Sequence, residues 1–151
     1  MTPALDWSRF NSPRLARGFF LLMVVIGYIS SWAVALMEGI IMWEALWSIQ
    51  FESGAGYVGA GVIVLETERL FGGDGQYFYL GKYEIHGKQI SAEITVTHYA
   101  GQPLSVFGTD QKFDMHLSGT LRGDTIKGVG TRVDDPKRSI RAILTRRALL
   151  P

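Results

Sequence analysis

The residues with most capacity for chemistry lie in one run, Phe71 to Tyr83, which reads FGGDGQYFYLGKY. Three glycines around one carboxylate can do three things. Their amides can cradle a phosphate, the Asp74 carboxylate can hold a cation, or the residues can simply reverse a strand. An anion site of this kind needs a helix N-terminus behind it, and the run continues instead into aromatic residues that favour strand. One carboxylate also supplies too few oxygens for a calcium loop. The run therefore reads as a turn, in which Gly72, Gly73 and Gly75 supply backbone angles closed to other residues and Asp74 bonds nearby amides.

The remaining candidates for chemistry carry less. GAGYVG at Gly54 to Gly59 matches the dinucleotide pattern GxGxxG. That pattern works only where it opens a helix within a βαβ unit, and here the β-branched run AGVIVLE follows. It reads as a hairpin, with Gly59 and Gly61 leaving room for large aromatics on a neighbouring strand. The three histidines, His86, His98 and His116, show no metal-ligand spacing; they read as a turn, a strand-end and a solvent-face histidine. A triad of Ser105, His98 and Asp110 can be written down, with no local pattern to support it. Lys137, Arg138, Arg141, Arg146 and Arg147 make the last segment basic, which suits a charged edge strand that resists strand addition. The expectation is a protein that is not an enzyme, with no catalytic, cofactor-binding or metal-binding residues, no cofactor and no nucleic-acid partner.

The elements that must position these residues are strands. Of the chain's 18 glycines, 15 follow Met42, between short runs rich in Val, Ile, Thr and Tyr. Ile90, Ala92, Ile94, Val96 and His98 alternate with polar residues, as do Phe113, Met115 and Leu117, which is the period of a half-buried strand. The same test predicts eight strands: about 43–51, 57–65, 69–71, 77–86, 89–99, 112–121, 125–133 and 139–146. Gly87 and Gly123 mark tight hairpins, and Asp134 to Arg138 another turn. The longest loop, Ala100 to Gln111, is placed to form a flap over one end. Regularly spaced antiparallel strands predict an all-β fold, a small eight-stranded lipocalin-like barrel. Trp43 and Trp47 are expected to plug one end, and Tyr79, Tyr83, Ile94 and Phe113 would line any cavity.

The 151 residues, 47% apolar and 12% aromatic, provide for one globular domain with a core and an appendage. A net charge of +1 gives no global field for nucleic acid, and without cysteine there is no disulfide and no thiolate chemistry. The appendage is residues 1–41. Gly18 to Met37 holds 20 residues without a charge, the length of a bilayer-spanning helix, preceded by Arg9, Arg14 and Arg17. Three readings fit: an N-terminal apolar helix that anchors the domain outside the inner membrane, a signal peptide cleaved near Ala33 to Ala35, or upstream sequence before a start at Met42 that leaves the domain cytoplasmic. Any membrane contact falls to residues 18–37.

LWSIQFES, GYVGAGVIVLE, LFGGDGQYFYLGKYEIHGKQISAEITVTHYAG and FDMHLSGTLRGDTIKGVG together resemble the bacterial GrlR-like family, over 42–151 and none of 1–41. The most specific part is the ordered set Gly72, Gly73, Asp74, Tyr77, Tyr79, Gly81 and Tyr83. The resemblance implies a lipocalin-like eight-stranded barrel that forms a homodimer and acts as a regulator by binding a protein partner. The regulator that gives the family its name restrains a transcriptional activator of type III secretion. An acidic cluster would suit such a basic partner; the nearest here are Glu66 with Glu68 and Asp134 with Asp135. The second function compatible with the fold is carriage of a small apolar ligand.

Overall fold

A computed structural model describes Gly39 and residues 43–54 and 56–151; the apolar stretch 18–37 and the boundary at Met42 lie outside the described residues. Among the described residues no helix is long and apolar enough to cross a membrane. Eight strands follow in order: β1 (Ala45–Ser53), β2 (Gly56–Glu66), β3 (Arg69–Gly73), β4 (Tyr77–His86), β5 (Gln89–His98), β6 (Lys112–Arg122), β7 (Thr125–Arg132) and β8 (Ser139–Leu149). Each pairs antiparallel with the next, and β8 pairs back onto β1 to close an all-β barrel. Closure corrects one expectation: β8 is hydrogen-bonded on both sides, so its arginines do not guard an edge.

Alternation within each strand divides inside from outside. In β5, Ile90, Ala92, Ile94 and Val96 are buried, while in β6 Phe113, Met115, Leu117 and Leu121 are buried between exposed Asp114, His116 and Ser118. The register then stacks large side chains against small ones. Tyr83 faces Ala92, which faces Leu117; Gly81 faces Ile94, which faces Met115. Such pairing fills a narrow interior without overcrowding it.

One end of the barrel is packed solid. Trp47, Leu65, Leu70, Ile126 and Leu144 are each fully buried near the β2–β3, β4–β5 and β6–β7 turns. Trp47 thus fills this end as expected, and Arg146 lies over its ring at 6.0 Å from the centroid. Gly87 (φ 61°) and Gly123 (φ 60°) make two of the turns here in the left-handed region that glycine enters without a Cβ clash. The third turn uses Thr67 (φ 48°) and Glu68 (φ 65°), which pay about 1–2 kcal/mol per residue for that conformation. Buried Glu44 offsets the strain, since its Oε1 accepts the Thr67 amide at 3.0 Å.

Candidate ligand cavity

The opposite end, which carries the β1–β2, β3–β4, β5–β6 and β7–β8 connections, is hollow. A cavity of about 520 Å³ occupies it, within the range of about 300–1,000 Å³ common for small-molecule sites. Ile49, Ile63, Ile94 and Leu117 line its deeper part, and Phe51, Tyr79, Val96, Phe113 and Met115 line it further along the same strands. These are inward positions of β1, β2, β4, β5 and β6, so strand period alone aims them at the void. Of the residues expected to line a cavity, Tyr79, Ile94 and Phe113 do so. Tyr83 does not: it is buried opposite Ala92, one rung further from the open end than Gly81, where the interior is filled.

The loop between β5 and β6 covers the mouth. Leu104, Ser105, Val106 and Phe107 line the cavity from above, and Phe107 is 4% exposed, its ring edge-on to Phe113 at 5.6 Å. A small turn shapes this flap: Ser105 and Gly108 exchange backbone hydrogen bonds of 2.7 and 3.1 Å, and Ser105 Oγ accepts the Phe107 amide at 3.1 Å. Gly108 takes φ 119°, where a side chain would be strained.

Both ends of the flap are tied down. At its start, the Tyr99 hydroxyl donates to Asp74 O at 2.8 Å and its amide donates to Gln76 O at 2.9 Å. At its end, the Tyr77 hydroxyl donates to Asp110 O at 3.1 Å, and Arg132 Nη1 donates to Asp110 Oδ2 at 2.5 Å. Arg132 also forks onto both oxygens of Asp134, from Nε at 2.7 Å and Nη2 at 2.6 Å, with its guanidinium 4.9 Å from the centre of the Phe113 ring. Such a planar bidentate pair is among the stronger charged contacts. The Arg132 guanidinium holds the Asp134 carboxyl below the ordinary carboxylate range, and Asp134 and then Asp110 push the arginine up.

Asp74 is a turn residue and a cavity residue at once. Its Oδ1 accepts the amides of Gln76 and Tyr77, each at 2.8 Å, and its own amide donates to Tyr77 O at 2.9 Å. Its Oδ2 accepts the Tyr79 hydroxyl, and burial followed by this bond pushes the Tyr79 phenol well above its usual value. The expected turn is thus present, with one correction to its physics. None of Gly72, Gly73 and Gly75 takes a left-handed φ; Gly72 and Gly73 are needed for space. A Cβ on Gly73 would stand 2.7 Å from Tyr77 O, and one on Gly72 would collide with Val62 O. Gly61 works in the same way, since its Cβ would meet Gly73 O at 2.5 Å; it makes room for backbone and not for an aromatic ring. Gly59, by contrast, lies against the Phe51 ring.

The other sequence candidates do not assemble. Ser105 Oγ is bonded within its own turn and Asp110 to Arg132, while His98 packs edge-on to Tyr77 with its Nε2 buried and unbonded. His86 stands near Glu84, and His116 bonds Ser91 Oγ on the outer surface. Among the described residues no group of three or more metal-ligating side chains occurs. The Arg132 clamp is the feature sequence reasoning missed. Its signal was a charge on the inward phase of β7, after Ile126, Gly128 and Gly130, with an aspartate two residues on. No protein-family model and no curated protein matches the chain.

Proposed function

We propose that residues 42–151 form a non-catalytic binding domain whose ligand is a small, largely apolar molecule held in the open half of the barrel. The observation that carries this reading is the void itself. A barrel of this size could fill its whole interior with side chains, and here only one half is filled. A retained apolar space of about 520 Å³ under a tethered flap is the arrangement of a carrier or ligand sensor. Calorimetric titration with a neutral bicyclic aromatic alcohol, naphthyl-ethanol, tests it. One-to-one binding with a dissociation constant of about 100 µM or lower is expected for a ligand of that size. The double variant Ile94→Trp with Val96→Phe should bind at least about tenfold more weakly while keeping the β circular-dichroism spectrum. Absence of binding by that probe and by linear fatty alcohols would defeat the reading.

A second reading rests on the outer surface. Val62 (52% exposed), Leu80 (50%) and Phe78 stand outward on β2 and β4, with half-buried Val64 and Phe71 between them. The register joins them, since Val64 faces Phe71, which faces Leu80, and Val62 faces Gly73, which faces Phe78. A continuous apolar face of this kind suits a protein contact. With the GrlR-like pattern around Asp74, it supports a regulator that dimerises or docks a protein partner there. Sedimentation should show self-association in the micromolar range, lost in Leu80→Lys. A monomer at all concentrations, with unchanged behaviour in Leu80→Lys, would remove dimerisation through this face.

A further inference from the structure

We propose that the cavity selects ligands whose apolar body carries a cationic amine, with Asp74 as the counter-charge; the proposal rests on the small-ligand reading above. Among the described residues that line the cavity, Asp74 is the one that carries a charge. An ionised carboxylate offers about four acceptor positions. Three are taken, by the Gln76 and Tyr77 amides and the Tyr79 hydroxyl, all neutral donors. Among the described residues no lysine, arginine or histidine forms an ion pair with it. Of the basic groups at this end, Arg132 is engaged by Asp110 and Asp134, Arg141 lies near Glu52, and Arg138 lies against Gly108 of the flap.

The result is a fixed negative charge at the margin of an apolar chamber. Its orientation is set before any ligand arrives, because the turn amides hold one oxygen and Tyr79 the other. A charge in such surroundings interacts more strongly than in water, so a matched cation gains and an anion is repelled. The aromatic rings of Phe51, Tyr79 and Phe113 line the same cavity and supply the apolar wall for the ligand's body. A neutral donor such as an alcohol can fill the fourth acceptor position but leaves the charge unbalanced. The site therefore ranks otherwise identical ligands by head group: amine, then alcohol, then carboxylate.

The test is a calorimetric comparison of naphthyl-ethylamine, naphthyl-ethanol and the carboxylate naphthaleneacetate on the full chain at neutral pH. The amine should bind at least about tenfold more tightly than the alcohol, and the acetate most weakly. Asp74→Asn retains an oxygen for the two turn amides and should reduce the amine preference to within about twofold. Asp114→Asn, the same charge change on the outer surface, should leave the preference intact. Equal binding of amine and alcohol by the unaltered protein overturns the charge selection and leaves the small-ligand reading standing. A preference that survives in Asp74→Asn overturns the assignment to Asp74. Failure of all three probes overturns the amine selection, and failure of linear fatty alcohols as well overturns the small-ligand reading. The ranking on the unaltered protein needs no variant, so it decides the charge selection even where Asp74→Asn does not fold.

Discussion

Trp47→Ala is expected to cost about 3–5 kcal/mol of folding stability, the scale for truncating a large aromatic in a rigid core. Trp47 has no exposed surface, and it stands between Ile63 of β2 and the Arg146 position of β8 in the barrel wall. Its removal would leave a void among residues that are themselves fully buried, Leu65, Leu70, Ile126 and Leu144. Those side chains are held by strands paired on both sides, so the site collapses poorly and the cavity penalty adds to the lost burial. The Arg146 guanidinium would also lose the ring beneath it. Against a total of about 5–15 kcal/mol for a domain this size, that is about a fifth of the stability or more. Urea unfolding followed by circular dichroism measures it, and Trp47→Phe should fall between the two. A midpoint for Trp47→Ala within error of the parent would show that this end is not the rigid half. The open end tolerates much more: truncating Leu104, which is largely exposed, removes little buried area.

The contrast between the two halves marks the limit of what the sequence tells. Period-two alternation in ISAEITVTH and KFDMHLSGTL was enough to place β5 and β6 and to say which residues point inward, because a slip of one residue would reverse every side chain. Gly87 and Gly123 fixed the hairpins for the same kind of local reason. Depth along the barrel is another matter. Tyr79 and Tyr83 occupy the same phase of β4, and nothing local distinguishes the one that borders a void from the one that is packed. That difference arises largely from partners on other strands, where Ala92 removes volume and Leu117 and Trp47 restore it. The flap was legible as the one long loop, but its fastening was not. Arg132 is 5% exposed because Asp110, twenty-two positions away, folds back to meet it. The basic residues Lys137, Arg138, Arg141 and Arg147, more conspicuous in the sequence, lie on the outer surface.

Gly73→Val should impair folding more than Asp74→Asn does, and the reason differs from what glycine-rich turns usually suggest. Gly73 does not need a left-handed φ, so an added side chain brings no intrinsic backbone strain. It brings a collision: its Cβ would lie 2.7 Å from Tyr77 O and 3.3 Å from Phe78 Cα, both in the neighbouring strand. Both atoms are backbone, so relief requires β3 and β4 to separate just where Asp74 N bonds Tyr77 O. Valine adds two further methyl groups, and the expected loss is about 3 kcal/mol, the upper part of the range for overpacking. Gly73→Ala should lose less, about 1–2 kcal/mol. Asp74→Asn keeps an acceptor for the Gln76 and Tyr77 amides and forfeits the charge in its bond with Tyr79, a loss of about 1 kcal/mol. The two changes should also separate by readout, since Gly73→Val lowers the urea midpoint for the whole barrel while Asp74→Asn acts chiefly on which head group the cavity accepts. Native stability in Gly73→Val together with unfolding in Asp74→Asn would reverse this, and would make the carboxylate the element that holds the turn.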